Sequence, residues 1–306
     1  MVRHNRPQDG APGRKPWPTR LFERERLRKA APVLLVVFPA AFLLIVFFVV
    51  PMIVALRYSF QSAMPFYDPN PHWTLDNYIR VFTQPVYRRS FLRTGFYAAI
   101  GTSLSLVLSY PVAYYLARQA KRGNLLLMIL IIPFWTSVVL RVFAWRIILG
   151  TNGLLNWLLQ AIHLTNEPVR FLYSAGGIIF GLVYTYTPFM VLPLYATLGK
   201  VPNDVLEASL DLGANRAQTL LRITLPLTRS GTISAVTLVL LACFADVLAA
   251  NMLGGPNTLM ISTVIFETFL GGGNWVTGSA LSVVVFSLLL LIAALLSRVG
   301  REVEYA

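Results

Sequence analysis

Three charged residues lie inside long apolar segments and are the side chains best placed for chemistry or binding. Asp246 occurs in LACFADVLAAN, whereas Arg141 and Arg146 occur in VVLRVFAWRIIL. A charge at the centre of a bilayer costs roughly 2.5–3.5 kcal/mol on insertion scales, so such residues usually face a partner or a pathway. Asp246 could meet a cationic amine and Arg141 an anion. The alternative is a salt bridge between Asp246 and Arg141, while Arg146, near a segment end, is expected to snorkel.

Aromatic residues near these charges offer ring faces, which attract ammonium groups. Trp135, Tyr184 and Tyr186 are the candidates, with Phe134 and Trp145 as further rings. Aromatic residues in membrane segments also serve as packing residues or interfacial anchors. A substrate path past the first three is therefore predicted, and packing is the alternative.

Motifs for hydrolysis, metal binding and covalent catalysis are absent from the sequence. The phosphate-binding pattern G-x-x-x-x-G-K-[ST] does not occur, nor does the G-x-S-x-G turn of serine hydrolases. His4, His72 and His163 are scattered, and Cys243 is the single cysteine, so no metal site is expected. We expect no catalytic residue and no cofactor bound by this chain.

The composition of the chain is that of a membrane protein. Of its 306 residues, 56% are hydrophobic and 13% charged, about half the charged fraction of a soluble domain. Six segments approach the roughly 20 apolar residues that a spanning helix needs. They are 33–56, 96–116, 125–149, 178–198, 232–253 and 280–296. We predict an all-α protein with six transmembrane helices, in which Pro51, Pro111, Pro133 and Pro188 are tolerated inside spans.

The distribution of basic residues predicts the orientation in the membrane. Residues 1–30 are rich in Pro, Arg and Lys, and most Lys and Arg of the loops fall on the same side as this tail. Because basic loops stay inside, both termini should be cytoplasmic. Residues 31–306 then form one transmembrane domain. Two apolar stretches, 153–164 and 257–270, are too short to cross and are expected as re-entrant or interfacial helices on the outer side.

One predicted cytoplasmic loop, EASLDLGANRAQTLLRITLP, has the pattern of a helical hairpin. Asp204 followed by Glu207 is a capping-box pattern, which predicts the start of a short helix. Gly213 should end that helix, because glycine accepts the left-handed conformation. A second helix should begin at the N-cap Asn215 and end before Pro226.

The first helix of this hairpin has an apolar face that the membrane cannot cover, formed by Val205, Leu206, Ser209, Leu210 and Leu212. A nucleic-acid-reading head is disfavoured, since phosphate binding needs a positive surplus and the charges here nearly cancel. The plainer alternative is an ordered loop between two spans.

The same loop resembles the EAA signature of permease subunits of binding-protein-dependent ABC importers. That signature reads E-A-A, three residues, G, nine residues and I-x-L-P. The matching residues are Glu207, Ala208, Gly213, Ile223, Leu225 and Pro226, and Ser209 replaces the third motif residue. Stretches over 132–156 and 253–282 are similar to the spermidine/putrescine branch of these permeases. The chain departs from that branch at Ala249 and Ala250, where a Thr-Pro pair is expected.

The resemblance implies a type I, maltose-type permease fold in the bacterial inner membrane, with a coupling helix over about 204–212 inside a coupling loop at about 200–229. It implies a second permease subunit, two cytoplasmic ATPase subunits that bind ATP and Mg, and an extracytoplasmic substrate-binding protein as partners. A polyamine is the expected small-molecule cargo, and no nucleic acid is expected. Another small solute, such as an amino-acid derivative, and a stand-alone secondary transporter are the alternatives.

Overall fold

The computed structural model describes residues 38–64, 66 and 68–302. The predicted tail over 1–30 and the start of the first predicted span lie outside the described residues. The chain divides into two units, Met1–Val54 and Ala55–Ala306. Among the described residues there is no strand, and the pairing of Gln61 with Trp73 is an isolated bridge. The all-α prediction is confirmed.

Helices are numbered here in chain order. They are α1 (Phe38–Ser59, with a π-helical turn at Ile45–Val49), α2 (Asp76–Thr83), α3 (Pro85–Arg118), α4 (Gly123–Ile131), α5 (Val138–Ile148), α6 (Leu154–Ala161), α7 (Ala175–Gly199), α8 (Asn203–Asp211), α9 (Arg216–Leu227), α10 (Arg229–Ala245), α11 (Leu248–Leu253), α12 (Ile261–Leu270) and α13 (Trp275–Glu302). The stretches predicted as short helices at 153–164 and 257–270 are α6 and α12.

Four helices of the described chain, α1, α3, α7 and α13, are long and apolar enough to cross a membrane. Two further candidates are bent pairs: α4 with its 3-10 extension meets α5 at 81°, and α9 meets α10 at 72°. By length and composition, the described residues thus hold four candidate spans, or up to six if each bent pair is one span. The predicted third and fifth spans are wrong as continuous helices, since 125–149 breaks at Thr136–Ser137 and 232–253 breaks at Asp246.

Prolines occur both inside continuous helices and at one of the helix breaks. Pro111 lies inside α3, and Pro188 and Pro193 lie inside α7, as expected for spanning helices whose neighbours stabilise the freed backbone groups. Pro133 is different, because it sits in the 3-10 turn Ile132–Trp135 at the α4–α5 break rather than within a continuous span. A missing N–H and a fixed φ make a proline suitable for such a start position.

The buried core of the second unit forms where α3, α7 and α10 meet. Ser109 of α3 donates a hydrogen bond to the carbonyl of Thr187 at 3.1 Å. A Cβ on Gly101 of α3 would lie 3.3 Å from the Cβ of Leu182, so α3 and α7 run in the same direction and pack closely through small residues. Gly231 of α10 abuts Thr197 of α7, where a Cβ would approach within 2.2 Å.

Candidate functional site

The turn between α8 and α9 is closed by backbone hydrogen bonds around Gly213. Gly213 has φ +87°. Its N–H donates to Leu210 O at 2.9 Å, and the N–H of Ala214 donates to Ser209 O at 3.1 Å. These two bonds form a Schellman motif, which requires the left-handed conformation that glycine adopts without strain. The predicted helix stop at Gly213 is where the structure places it.

The start of α8 and the end of α9 differ from the predicted boundaries, whereas the start of α9 agrees with the prediction. The N-cap of α8 is Pro202 and has no side-chain hydrogen bond, so the expected capping box of Asp204 is wrong and Asp204 instead lies in the first turn. At α9 the predicted N-cap Asn215 is confirmed, and it forms a capping box with Gln218 through bonds of 2.8 and 2.9 Å. The second helix passes Pro226, contrary to the predicted end, because the π-helical turn Leu220–Thr224 widens the backbone before it.

The EAA-like residues fall into an exposed set and a buried set. Glu207, Ala208, Gly213 and Pro226 are exposed, Ile223 and Leu225 are half-buried, and Ser209 is buried. Around Glu207 the apolar side chains Val205, Leu210 and Leu212 are 40%, 47% and 90% exposed. An exposed apolar surface rimmed by polar residues is typical of a protein interaction site.

Arg118, at the end of α3, ties the hairpin to the membrane helices. Its guanidinium donates to the carbonyls of Leu198 and Val201 and to the side-chain oxygen of Asn203 at 2.9 Å. It therefore joins α3 to the end of α7 and the start of α8. Sequence reasoning missed this role; the available signal was an arginine in the last turn of a span, a position from which a guanidinium can bond C-terminal carbonyls that lack partners.

Asp246 sits at the break between α10 and α11 and is buried, with 8% exposure. Its carboxylate accepts from the hydroxyl of Tyr186 at 2.9 Å and from the backbone N–H of Ala249 at 2.7 Å. Its carbonyl accepts from Ser262 at 2.5 Å. Asp246 thus links α7, α11 and α12, and the structure does not pair it with Arg141.

Arg141 belongs to a separate aromatic cluster on another side of α7. Its guanidinium lies 4.6 Å from the centre of the Phe134 ring, and its buried Nε and Nη1 atoms have no hydrogen-bond partner. The ring of Phe134 is 5.8 Å from that of Tyr184. Trp145 meets both Tyr184 and Phe180, at 5.3 and 4.6 Å. Sequence reasoning missed Phe180, which lies one helical turn before Tyr184.

The predicted substrate-path residues therefore divide into two groups. Tyr184 and Tyr186 are two residues apart on α7, so they point about 200° apart around the helix. Tyr186 donates a hydrogen bond to Asp246, whereas Tyr184 lies in the ring cluster that includes Phe134 and Arg141. Trp135 joins neither group and is 84% exposed. Arg146 is exposed and reaches the hydroxyl of Tyr173 at 3.4 Å.

Comparison with known proteins gives consistent matches over most of the chain. A family model described as "Binding-protein-dependent transport system inner membrane component" matches residues 70–301. The spermidine/putrescine transport system permease protein PotB of Escherichia coli (strain K12) is 38% identical over 237 residues, 76% of this chain and 86% of that protein. PotB of Haemophilus influenzae is 35% identical over 261 residues, 84% of this chain and 90% of that protein.

The fold also matches a solved structure. The bacterial alginate ABC transporter in complex with alginate pentasaccharide-bound periplasmic protein contains a chain that aligns with a TM-score of 0.74. The alignment covers 91% of this chain and 97% of that chain, at 17% sequence identity. At this identity the match is evidence for the fold.

Proposed function

The chain belongs to the family of binding-protein-dependent transport system inner membrane components, and we propose that it is the permease subunit of an ATP-driven polyamine importer. The ABC importer permease fold expected from the EAA-like loop is confirmed. The observation that carries the mechanism is the α8–Gly213–α9 hairpin, with its exposed apolar residues beside Glu207.

The α8 helix is proposed as the coupling helix that docks on a cytoplasmic ATPase. Val205, Leu210 and Leu212 are exposed, and burial of such side chains against a partner stabilises the contact by roughly 25 cal/mol per Å² of apolar area. ATP and Mg bind to that partner, since this sequence lacks the phosphate-binding motif. Closure of two ATPase subunits moves α8, and α8 moves the helices that line the path.

The remaining partners follow from the same proposal. A second permease subunit completes the translocation path, and an extracytoplasmic binding protein delivers the solute to the outer side. The alginate transporter was solved with its periplasmic protein bound, which supports this arrangement. Both termini of the chain face the cytoplasm in the proposed orientation, because the basic residues are concentrated on that side.

The proposed cargo is spermidine or putrescine. The PotB permeases of Escherichia coli and Haemophilus influenzae are 38% and 35% identical to this chain. Asp246 and Tyr186 supply a carboxylate and a ring where the α10–α11 break meets α7, and ammonium groups interact favourably with both. A second candidate is an amino-acid derivative with a carboxylate, favoured by the unpartnered Nε and Nη1 of Arg141.

The test is uptake and ATP hydrolysis by the intact complex. A tag on this chain is used to purify the complex from its own membranes, and the complex is reconstituted in vesicles with its binding protein. We expect ATP-dependent accumulation of labelled spermidine or putrescine, with little accumulation of amino acids. Isolation of this chain alone, with solute uptake independent of ATP, would instead establish a secondary transporter. Uptake of an amino-acid derivative in preference to polyamines would select the second candidate.

A further inference from the structure

Ser209 is the position at which the hairpin departs from the EAA signature, and the structure gives that serine a specific contact. Ser209 lies on α8 and Thr219 on α9, and they are 5% and 4% exposed. Their hydroxyl oxygens are 2.9 Å apart. An alanine at this position could not make this hydrogen bond.

The direction of the hydrogen bond follows from counting protons. Ser209 donates its single hydroxyl proton to the carbonyl of Leu206, one turn earlier on α8, at 2.7 Å. Because that proton is already used, Thr219 is the donor and Ser209 the acceptor in the bond between the helices. A short relay results, from Thr219 on α9 through Ser209 to the backbone of α8.

Apart from the backbone bonds that close the turn, the residues that the structure describes around Gly213 form no side-chain bridge between α8 and α9. Gly213 has no atom within 4 Å of the position that a Cβ would occupy, and Leu212 beside it is 90% exposed. The capping box of Asn215 and Gln218 is internal to α9. Among the described residues, no other side-chain hydrogen bond is found between α8 and α9.

We propose that Ser209 and Thr219 are positioning residues that lock α8 to α9, so that a force on α8 reaches α9 and α10 instead of bending the Gly213 turn. This inference rests on the proposed function, because the force is that of the ATPase on the coupling helix. Loss of the Ser209 hydroxyl strands the buried Thr219 proton, whereas loss of the Thr219 hydroxyl leaves the Ser209 proton on Leu206 O and removes only the bond between the helices. Loss of both strands neither group and is nearly neutral for stability, but it also removes that bond.

The experiment compares Thr219→Val, Ser209→Ala, the double variant and Thr219→Ser in the complete importer complex. The measured quantity is the number of ATP molecules hydrolysed per polyamine transported, together with the melting temperature of the complex. We expect Thr219→Val to raise the ATP cost per transported molecule about fivefold, the size expected for one buried hydrogen bond. Thr219→Ser, which keeps the hydroxyl, should stay within about twofold of the original value, whereas the double variant, which lacks the bond, should have the same ATP cost as Thr219→Val.

Each result has a defined meaning. A lower melting temperature in Thr219→Val with an unchanged ATP cost would show that the pair is only structural and would overturn the proposal. Additive defects in the double variant would overturn it as well. If the unmodified complex shows no polyamine-stimulated ATP hydrolysis, the proposed function itself fails, and that outcome is visible before any variant is compared.

Discussion

Replacement of Gly213 by alanine is the most direct test of the hairpin geometry. Gly213 has φ +87°, and nothing lies within 4 Å of the added methyl group. The cost is therefore conformational rather than steric. A left-handed conformation costs an alanine about 1–2 kcal/mol, and the reduced freedom of the unfolded chain offsets about 0.4–1 kcal/mol of it. A net loss of roughly 1 kcal/mol remains, which is about a fivefold change in an equilibrium.

The assay measures binding of the ATPase subunit to detergent-solubilised permease complex carrying the variant. We expect the dissociation constant to rise by up to about fivefold for Gly213→Ala, the limit reached when the net cost of roughly 1 kcal/mol falls on the docked state alone. The rise should be smaller for Gly213→Asn, because asparagine tolerates the left-handed region, and larger for Gly213→Val, because a branched Cβ does not.

A matched control comes from Gly199 at the end of α7. A Cβ there also meets nothing within 4 Å, and the residue is not in the left-handed region. Gly199→Ala should therefore leave ATPase binding unchanged. Equal losses for Gly199→Ala and Gly213→Ala, or unchanged binding in Gly213→Ala, would refute the assignment of the effect to the turn.

Three further predictions follow from the contacts of the membrane helices. Arg118→Met should lower the melting temperature of the complex and weaken ATPase binding, since three hydrogen bonds to the α7–α8 connection are lost; normal binding would argue against its anchoring role. Asp246→Asn should keep the fold, because its amide oxygen can accept from the Ala249 N–H while its NH2 donates to the Tyr186 hydroxyl oxygen, yet it should reduce polyamine uptake about tenfold through loss of the charge; Asp246→Ala should also destabilise the protein by about 1–3 kcal/mol. Protease added to right-side-out vesicles should leave the N-terminal tail intact, and cleavage of the tail would reverse the orientation.

The sequence was informative wherever one local rule decides the structure. Gly213 ends α8 and Asn215 caps α9, and both features depend only on the local backbone and on residues nearby in the sequence. Asp204 was predicted incorrectly as a cap, since Pro202 fixes an extended backbone two residues earlier and moves the helix start to Asn203. Length and apolarity predicted the continuous spans well, whereas they could not show the breaks near Ser137 and Asp246, which depend on contacts with other helices.

The candidate substrate path was the least predictable feature. Sequence reasoning placed Arg141 and Asp246 in one site, as partners of each other or of a substrate. In the structure they have different neighbours: Asp246 accepts a hydrogen bond from Tyr186, whereas Arg141 lies on Phe134 beside Tyr184. The helical periodicity of α7 predicts that Tyr184 and Tyr186 point to different sides. Only the contacts with α5 and with the α10–α11 break show that Arg141 lies near Tyr184 and Asp246 near Tyr186.

The anchoring of α8 at both ends suggests how a cytoplasmic contact would act on a residue deep in the membrane. Arg118 joins the start of α8 to α3 and to the end of α7, while Ser209 and Thr219 join its other half to α9. Along α7, Leu198 and Tyr186 are separated by about 18 Å at 1.5 Å per residue. Since α7 is one continuous helix over this distance, a displacement of α8 that carries the end of α7 would displace Tyr186 to the extent that α7 stays rigid across Pro188 and Pro193. The hydrogen bond from Tyr186 to Asp246 joins α7 to the α10–α11 break. Movement of the coupling helix would therefore change the surroundings of the Asp246 carboxylate, which is proposed to bind the cargo.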